Sequence, residues 1–248
     1  MIKTLQQIEI QKQGGIILGK GLSAVMAAAK PGVSTLALDD IFVTTVRSLG
    51  GEPAFLGYKG YPKSICTSIN DEVVHGIPGK RRLKEGDLFS LDGGLRYKGL
   101  CTDMARTMGI GKISASAQKL LSVTQTALAL GVAVAKAGNT IGDIGFAIKN
   151  YVEKNGFSVV RSLVGHGIGT EVHEEPQVPN FGKKGQGKTL TAGMVLAIEP
   201  MVNIGQFQVN FSQDGWTITT KDGTLSAHFE DTIAITKKDP QILTKLAL

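Results

Sequence analysis

The stretch from Leu88 to Thr107 is the feature that most constrains how this chain can fold. Two apolar runs flank a turn signal, Lys98-Gly99, and this arrangement predicts the two strands of a β-hairpin at about 87–109. Each predicted strand carries one aspartate, Asp92 in the first and Asp103 in the second. Because charged residues are rarely buried unless they are paired, these two carboxylates are candidate functional groups.

The register of the hairpin decides how close the two aspartates come. With Tyr97 and Lys98 as turn residues, Asp92 lies directly opposite Asp103, with Cβ atoms roughly 4.5–5.5 Å apart. A bulge at Gly93-Gly94 would shift this register. Like charges so placed destabilise a sheet, above all on a buried face, unless a cation lies between them. We therefore interpret the pair as half of a metal site, with two solvated aspartates on an exposed hairpin as the alternative.

The composition is that of a globular protein. The chain has 248 residues, of which 42% are hydrophobic and 19% charged, enough for one large domain or two small ones. No apolar run approaches the roughly 18 residues of a membrane span, and the N-terminal segment lacks the apolar core of a signal peptide. The only two cysteines, Cys66 and Cys101, fit a reducing compartment. We therefore expect a cytoplasmic protein that does not bind membranes.

The net charge is +6, and basic residues cluster at 80–84 and 183–188. Such clusters are usually solvated loops, although they can attract a polyanion such as ribosomal RNA. No nucleic-acid-binding signature is present, and aromatic residues make up only 6% of the chain. The sequence predicts a monomer without specific nucleic-acid binding, which can contact the ribosome transiently.

The order of predicted elements repeats once along the chain. Hydrophobic periodicity and capping signals predict helices at about 4–29, 36–49, 115–135 and 141–154. Thr140 and Asp143 have the spacing of a capping box at the start of the last of these helices. Apolar runs predict strands at about 64–69, 72–75, 158–163, 194–198, 201–209, 216–220 and 229–236, besides the hairpin. Lys30-Pro31-Gly32 and Lys136-Ala137-Gly138 each precede a capping hydroxyl and a helix. The repeated order indicates pseudo-repeats at about 4–110 and 111–240 within one domain, 1–248, with chance similarity of the capping residues as the alternative. An α+β fold, an antiparallel sheet covered by helices, follows.

A metal site needs ligands from the second half as well. His166 lies in a glycine-rich segment, Glu199 ends an apolar strand, and Glu230 lies within another. Singly, each glutamate reads as a strand-end charge and the histidine as a structural residue. Together with Asp92 and Asp103 they supply four carboxylates and one imidazole, a set that suits Mn²⁺, Fe²⁺ or Co²⁺, with Zn²⁺ possible. Four negative charges balance two divalent cations, which can share bridging carboxylates and activate a water.

Several motifs together make the chain resemble the bacterial type I methionine aminopeptidases. They are GYKGYPKSIC at 57–66, SINDEVVHGIP at 68–78, the Asp92–Asp103 pair, GHGIG at 165–169, HEEPQ at 173–177, AIEP at 197–200 and FED at 229–231. The resemblance covers essentially the whole chain in order. It implies the pita-bread fold, with two halves related by a pseudo-twofold, which agrees with the repeat.

The resemblance also implies a role for each site residue. Asp92 would chelate one metal ion, Asp103 and Glu230 would bridge two, and His166 and Glu199 would complete the shell of the second. Glu199 would also move a proton to or from the attacking water. His173 would stabilise the tetrahedral intermediate, and His75 would lie near the leaving nitrogen of the substrate.

By the same resemblance, an apolar pocket would hold the methionine side chain. Its implied lining is Phe55, Tyr58, Tyr61, Cys66, Val172 and Trp216. Contacts between sulfur and aromatic rings favour methionine there. Two positions depart from the pattern of the bacterial enzymes, because Phe55 stands where a smaller residue is usual and Val172 where an aromatic one is common. The departures concern the size of the pocket and leave the metal chemistry untouched.

These features predict a dinuclear metallo-aminopeptidase that removes N-terminal methionine from nascent chains, preferably before a small second residue. Two alternatives remain open at this point. A proline-directed peptidase of the same fold usually has an additional N-terminal domain, for which this chain is too short. A non-enzymatic binding module on this fold would be expected to lose metal ligands, and all five positions are filled here.

Overall fold

The computed structural model describes residues 2–247 and contains the four helices that the sequence predicts, each within two residues of its expected ends. They are α1 Leu5–Ala28, α2 Thr35–Ser48, α3 Ala115–Val134 and α4 Ile141–Lys154. A short 3-10 turn covers Tyr58–Gly60. No helix within residues 2–247 combines the length and the apolar character that crossing a membrane requires.

Capping residues explain where two of the helices begin. At the start of α1 the Thr4 hydroxyl accepts a hydrogen bond from Gln7 N, and Thr4 N donates to the Gln7 side chain, which is a capping box. The predicted box at α4 is confirmed, because Thr140 N donates to Asp143 Oδ2 at 2.8 Å. In both cases side chains satisfy backbone groups that the first turn leaves unpaired.

The strands are shorter and more numerous than the sequence predicts. They are β1 Glu52–Pro53, β2 Ile65–Ile69, β3 Glu72–Val74, β4 Leu88–Tyr97, β5 Leu100–Gly109, β6 Ser158–Val159, β7 Gly165–Gly167, β8 Glu174–Val178, β9 Val195–Ile198, β10 Met201–Asn203, β11 Val209–Phe211, β12 Ile218–Thr220, β13 Ser226–His228, β14 Glu230–Ala234 and β15 Gln241–Ile242. The strand predicted over 201–209 is interrupted after Asn203, and the one predicted over 158–163 ends at Val159. Strands β7 and β8 were not predicted, because glycine, proline and glutamate disfavour strand on propensity alone.

Nine strands form one antiparallel sheet. Its main path runs β1-β4-β5-β14-β9-β7-β8, with β2 also paired to β4 and β15 to β14. Two three-stranded sheets, β13-β10-β6 and β11-β12-β3, complete the structure. Strands β5 and β14 join the first and second halves of the chain, since Glu230 pairs with Ala105 and Asp231 with Met104. The expected α+β architecture with an antiparallel sheet is therefore present.

The hairpin of β4 and β5 has a different register from the predicted one. Its turn residues are Lys98 and Gly99, whose φ angles are 48° and 81°. A two-residue turn of this kind requires positive φ at both central positions, which matches the twist of the strands. Asp92 therefore pairs with Ala105, and the predicted direct pairing of Asp92 with Asp103 is wrong. The two aspartates are diagonal neighbours on the same face of an unbroken ladder.

The helices cover one face of the sheet and leave the other to the functional site. Around α1 and α2 the core includes Leu22, Phe42, Phe89 and neighbouring apolar side chains. Around α3 and α4 it includes Ile198 and Ile233 from the central strands. Because side chains alternate along a strand, the residues next to these core residues point to the opposite face. The candidate site residues of β4, β5 and β14, and the one that follows β9, lie on that opposite face.

Glycines in α1 allow the C-terminal segment to lie directly against the helix. A Cβ atom at Gly15 would collide with the carbonyl group of Leu243, and one at Gly19 with that of Lys245. Glycine lowers the helix propensity of this segment by about 1 kcal/mol per position. The close packing of the tail on the helix explains why these positions are glycine.

Candidate metal centre and active site

Five consecutive strands of the main sheet each contribute one candidate metal ligand. In the order of the sheet they are Asp92 on β4, Asp103 on β5, Glu230 on β14, Glu199 immediately after β9, and His166 on β7. We call the four acidic members the carboxylate cluster. Residues far apart in sequence therefore meet because the strands that carry them are neighbours.

The register of the strands brings the cluster onto one face. Ala105 pairs with Asp92 on one side and with Glu230 on the other, so that these three residues form a row across the sheet. Asp103 lies two residues from Ala105 and points in the same direction. A small side chain at Ala105 leaves the space between the two carboxylates open.

A break in pairing separates two parts of the second half. Strands β9 and β14 pair over Ile198 and Asp231, and β10 and β13 pair over Met201 and His228. Pro200 lies between β9 and β10 and interrupts the pairing there, because it has no N–H to donate to a ladder. Glu199 lies at this interruption, and its backbone carbonyl accepts a hydrogen bond from Asn180 Nδ2 at 3.0 Å.

The ligand atoms come close enough to share a cation. One oxygen or nitrogen from each of Asp103, His166 and Glu230 lies within 4.8 Å of the others, and the same holds for Glu199, His228 and Glu230. Asp92 Oδ1 and Glu230 Oε1 are buried and accept no hydrogen bond within the described chain. A buried carboxylate oxygen without a partner is costly, and a cation would remove that cost.

The tautomer of His166 also fits a metal ligand. Its Nδ1 lies 3.0 Å from the carbonyl oxygen of Gly167, which can only accept, so Nδ1 carries the hydrogen. Its Nε2 then has a free lone pair, and this atom lies 3.4 Å from Glu199 Oε1. A metal-bound histidine typically donates its other ring N–H to a carbonyl or carboxylate in this way.

Crowding and burial perturb the protonation of the cluster. Burial raises the pKa of Asp92 to about 6 and that of Glu199 to about 8. Burial and the neighbouring carboxylates raise the pKa of Asp103 and of Glu230 well above their ordinary values. Groups that resist ionisation together in this way are well suited to bind a divalent cation, which neutralises their charge. The residues present therefore fit an oxygen-rich metal site with one nitrogen.

His173 and His75 lie beside the cluster in the same cavity. His173 Nδ1 is 3.0 Å from the hydroxyl oxygen of Tyr58, and its ring stacks on that of Tyr58 and lies tilted by 45° against that of His166. Burial lowers the pKa of both His173 and His75 to about 4, so both are neutral at pH 7. His75 has a φ of 62°, a conformation that is uncommon outside glycine and often occurs at functional sites.

The cavity has a volume of about 210 Å³ and is lined by twelve of the thirteen residues that the sequence singles out. They are Phe55, Tyr58, Tyr61, Cys66, His75, Asp92, Asp103, His166, His173, Glu199, Trp216 and Glu230. Val172 is the exception, because it is fully buried behind the wall in one apolar cluster with Phe55, Tyr61 and Cys66. Lys59, Val74 and His228 line the cavity in addition.

Aromatic rings form the apolar wall of the cavity. Tyr61 and Trp216 meet edge to face, with ring centroids 5.0 Å apart. Asp214 fixes the turn that carries Trp216, since its carboxylate accepts hydrogen bonds from the backbone N–H groups of Trp216 and Thr217. The ring of Phe55 lies over Gly94, where a Cβ atom would collide with it.

His228 is the ligand-type residue of the cavity that sequence reasoning missed. Only 1% of it is exposed, and its Nε2 lies 3.6 Å from Glu199 Oε2 and 3.8 Å from Glu230 Oε2. The available signal was its position two residues before Glu230, which places both side chains on one face of an extended chain. Because Phe229 lies between them, the sequence predicted only the start of an apolar strand in this segment.

Comparison with known proteins identifies the family. The model of "Metallopeptidase family M24" matches residues 9–237. A methionine aminopeptidase of Clostridium perfringens is 47% identical over 244 residues, covering 98% of each chain, and one of Clostridium acetobutylicum is 49% identical over 245 residues with the same coverage. The crystal structure of methionine aminopeptidase from Thermotoga maritima superimposes with a TM-score of 0.97 at 42% identity, covering 99% of each chain.

These similarities confirm two predictions made from the sequence, the pita-bread fold and the family. They also imply that the site uses divalent metal, in agreement with the chemistry of its side chains. The boundaries of the two pseudo-repeats and the single catalytic domain stay predictions. The chain belongs to metallopeptidase family M24, in its group of bacterial methionine aminopeptidases.

Proposed function

We propose that this chain is a metal-dependent aminopeptidase that removes the N-terminal methionine from nascent proteins and peptides, preferring a small second residue. One observation carries the proposal: five ligand-type side chains, located on or directly after five neighbouring strands, meet in a cavity walled by aromatic rings. Membership of a metallopeptidase family and identity to relatives named methionine aminopeptidases support the same function.

The metal would be held by the carboxylate cluster together with His166. We propose two divalent ions, Mn²⁺, Fe²⁺ or Co²⁺, with Zn²⁺ also compatible with the ligand set. Asp103 and Glu230 lie between Asp92 on one side and Glu199 with His166 on the other, in the order expected for residues shared by two ions. When bound, the ions supply Lewis acidity, which polarises the scissile carbonyl and favours ionisation of the attacking water.

Glu199 is the group best placed to move the proton of the reaction. Its carboxyl group lines the cavity, and burial raises its pKa to about 8. A carboxylate that lines the cavity next to the other ligand-type side chains can take a proton from the attacking water and return it to the departing amine. The proton would be carried on Glu199 Oε1, the oxygen that faces His166 rather than His228.

His173 is suited to stabilise the developing oxyanion. We assign the Tyr58 hydroxyl as donor to His173 Nδ1, which leaves Nε2–H free to donate to the substrate carbonyl oxygen. The neutral state of His173 at pH 7 makes this assignment possible. His75, which is also neutral, would contact the substrate amide nitrogen from its position in the same cavity.

The apolar wall would hold the methionine side chain. Phe55, Tyr61, Cys66 and Trp216 supply rings and a thiol, while Tyr58 adds the phenol that bonds to His173. A thioether in contact with aromatic rings gains about 0.3–1.5 kcal/mol per contact. Val172 would act from behind the wall by supporting the rings that contact substrate.

We further propose that the chain acts in the cytoplasm as a monomer formed by one catalytic domain, 1–248, with pseudo-repeats at about 4–110 and 111–240. Basic loops at 80–84 and 183–188 are exposed in most positions and would give at most a transient contact with ribosomal RNA. Salt-dependent cosedimentation with ribosomes tests that contact separately from the catalytic activity.

The experiment that tests the proposed function measures free methionine released from the peptide Met-Ala-Ser. Metal-stripped protein receives Mn²⁺, Fe²⁺, Co²⁺ or Zn²⁺ one at a time. We expect release with at least one ion, slower release from Met-Leu-Ser, and none from a peptide that begins with Ala-Pro. No release with any ion rejects the proposal, and cleavage of the Ala-Pro peptide alone would indicate a proline-directed enzyme.

Matched variants connect this activity to the cluster. Asp103→Asn and Glu230→Gln keep the shape of the side chain and remove its charge, so we expect release to fall by at least about 100-fold. Asp39→Asn is the control, because Asp39 is also buried but accepts hydrogen bonds from Ser64 N and Ile65 N outside the cavity lining. Its asparagine oxygen can keep those bonds, and activity should be retained.

A further inference from the structure

Hydrogen bonds to the β4–β5 hairpin hold the backbone of His228 in place. Thr107 Oγ1 accepts a hydrogen bond from His228 N and donates one to His228 O, both at 2.8 Å. Thr107 Oγ1 also lies 2.8 Å from the hydroxyl oxygen of Ser90. All three residues are buried. The position from which the imidazole extends is therefore fixed by two strands, β4 and β5, that also carry Asp92 and Asp103.

The side chain of His228 points into the carboxylate cluster. Neither ring nitrogen has a hydrogen-bond partner within residues 2–247, and Nε2 faces Glu199 Oε2 at 3.6 Å and Glu230 Oε2 at 3.8 Å. An imidazole held this firmly next to two carboxylates can donate through Nε2 after a shift of a few tenths of an ångström. Nothing in the mechanism above uses this group.

The ring of His228 differs from that of His166 in a way that separates two possible roles. A metal-ligating imidazole typically has its second nitrogen bonded to a carbonyl or carboxylate, which fixes the lone pair on the first. His166 has this support from Gly167, whereas His228 Nδ1 has none. Within the described chain, His228 therefore lacks the hydrogen bond at Nδ1 that a metal-ligating histidine typically makes. This arrangement favours a role for His228 as a hydrogen-bond donor.

We propose that His228 is a positioning residue whose Nε2–H donates to Glu199 Oε2 and thereby directs Glu199 Oε1 toward the reacting atoms. The proposal rests on the proposed function of Glu199 as the group that moves the proton. A carboxylate held by one oxygen cannot rotate freely, so its other oxygen stays in line with the water and the departing nitrogen. His228 itself does not touch the substrate in this role.

The kinetic test compares His228→Leu with His228→Gln. Leucine fills the space without a donor, whereas the glutamine amide can donate from nearly the same position. We expect His228→Leu to lower kcat about 10- to 100-fold with KM changed less than about threefold, and His228→Gln to restore most of kcat. An unchanged kcat in His228→Leu, or a His228→Gln variant as slow as His228→Leu, overturns the proposal.

Metal affinity separates positioning from ligation without using activity. Mn²⁺ titration by calorimetry should give His228→Gln a Kd within about threefold of the unaltered protein, because the glutamine amide keeps the hydrogen bond to Glu199 and lacks the imidazole nitrogen of a ligand. A loss of about tenfold or more in His228→Gln, the range expected when a ligand is removed, would assign His228 to the metal shell and overturn the proposal.

The ring tautomer supplies a test that holds even for an inactive protein. Long-range ¹H–¹⁵N NMR spectra of the metal-free chain should show His228 as the Nε2–H tautomer, with a proton that exchanges slowly and shifts when Glu199 is replaced in Glu199→Ala. A ring protonated at Nδ1 alone overturns the proposal. If the unaltered protein releases no methionine while the tautomer is as expected, the proposed function fails and the hydrogen bond stands.

Discussion

The contact between Phe55 and Gly94 links the size of the proposed methionine pocket to the geometry of the hairpin. Gly94 pairs with Asp103, and a Cβ atom added there would lie 2.8 Å from Phe55 Cδ1 and nearer still to Cε1. Carbon atoms in favourable contact lie about 3.5–4.0 Å apart, so Gly94→Ala requires the ring to move by roughly 1 Å. The ring lines the cavity, which is the open direction for that movement.

The loss of stability in Gly94→Ala depends on how far the Phe55 ring can move. Overpacking of a well-packed site costs about 1–3 kcal/mol, and 1 kcal/mol shifts Tm by about 2–4 °C in a chain of this size. Because part of the strain is relieved when Phe55 moves into the cavity, we expect Tm to fall by only about 2–6 °C. The displaced ring then occupies space needed by methionine, and KM for Met-Ala-Ser should rise about tenfold, equivalent to about 1.4 kcal/mol.

Gly93→Ala is the matched control on the same strand. Gly93 faces the helices, and a Cβ atom there would lie 3.0 Å from Leu22 and 3.3 Å from Phe42. This substitution should lower Tm and leave KM unchanged, because the strain stays on the face away from the cavity.

A double mutant tests whether Phe55 is the group that responds to Gly94→Ala. The effects of Gly94→Ala and Phe55→Ala on KM should be non-additive by at least about 1 kcal/mol, as expected for residues in contact. An unchanged KM in Gly94→Ala, or additive effects in the double mutant, would refute the coupling.

Two further predictions concern stability. Lys3 and Glu174 form a 2.7 Å ion pair, and their side chains are only 4% and 16% exposed. Lys3→Met should therefore lower Tm by about 6–12 °C, because it leaves the Glu174 carboxylate without its partner. Lys12→Met, at an exposed pair, should change Tm by less than about 4 °C, and equal shifts in the two variants would contradict the prediction. Hydrogen bonds from the Thr140 backbone and side chain lower the pKa of Asp143 below its ordinary value of 3.8. A carboxyl group whose pKa is lowered by folding stabilises the folded state at pH values above its unfolded-state pKa, and this stabilisation is lost as pH falls through the folded-state pKa. In urea unfolding, Asp143→Asn should therefore lower the free energy of unfolding by about 0.5 kcal/mol at pH 7 and by less at pH 3.5. A decrease that does not depend on pH would disprove the assignment.

Local signals in the sequence predicted the helices well, because caps and periodicity act within one or two turns. The box of Thr140 with Asp143 is set by four consecutive residues and was predicted correctly. The hairpin register was not, because it depends on which two residues adopt positive φ, and Lys98 is not a residue type that favours such a conformation. Strand β7 was missed since its pairing with β8 and β9, rather than its composition, makes it a strand.

The chemistry of the site was more predictable than its geometry. Asp103, Glu199 and Glu230 could be recognised as candidates because charged residues in apolar runs need partners. Their convergence depends on the strand order β4-β5-β14-β9-β7, which no short-range pattern encodes. Likewise, the burial of Val172 behind the pocket wall depends on packing between distant segments.

The central claim is that the carboxylate cluster converges because it binds divalent cations. Calorimetric titration of metal-stripped protein with Mn²⁺ tests it most directly. We predict saturable binding of two ions per chain, retained in Asp39→Asn and lost or weakened at least about tenfold in Asp103→Asn and Glu230→Gln. No binding in the unaltered protein, or equal binding in all four proteins, would contradict the claim.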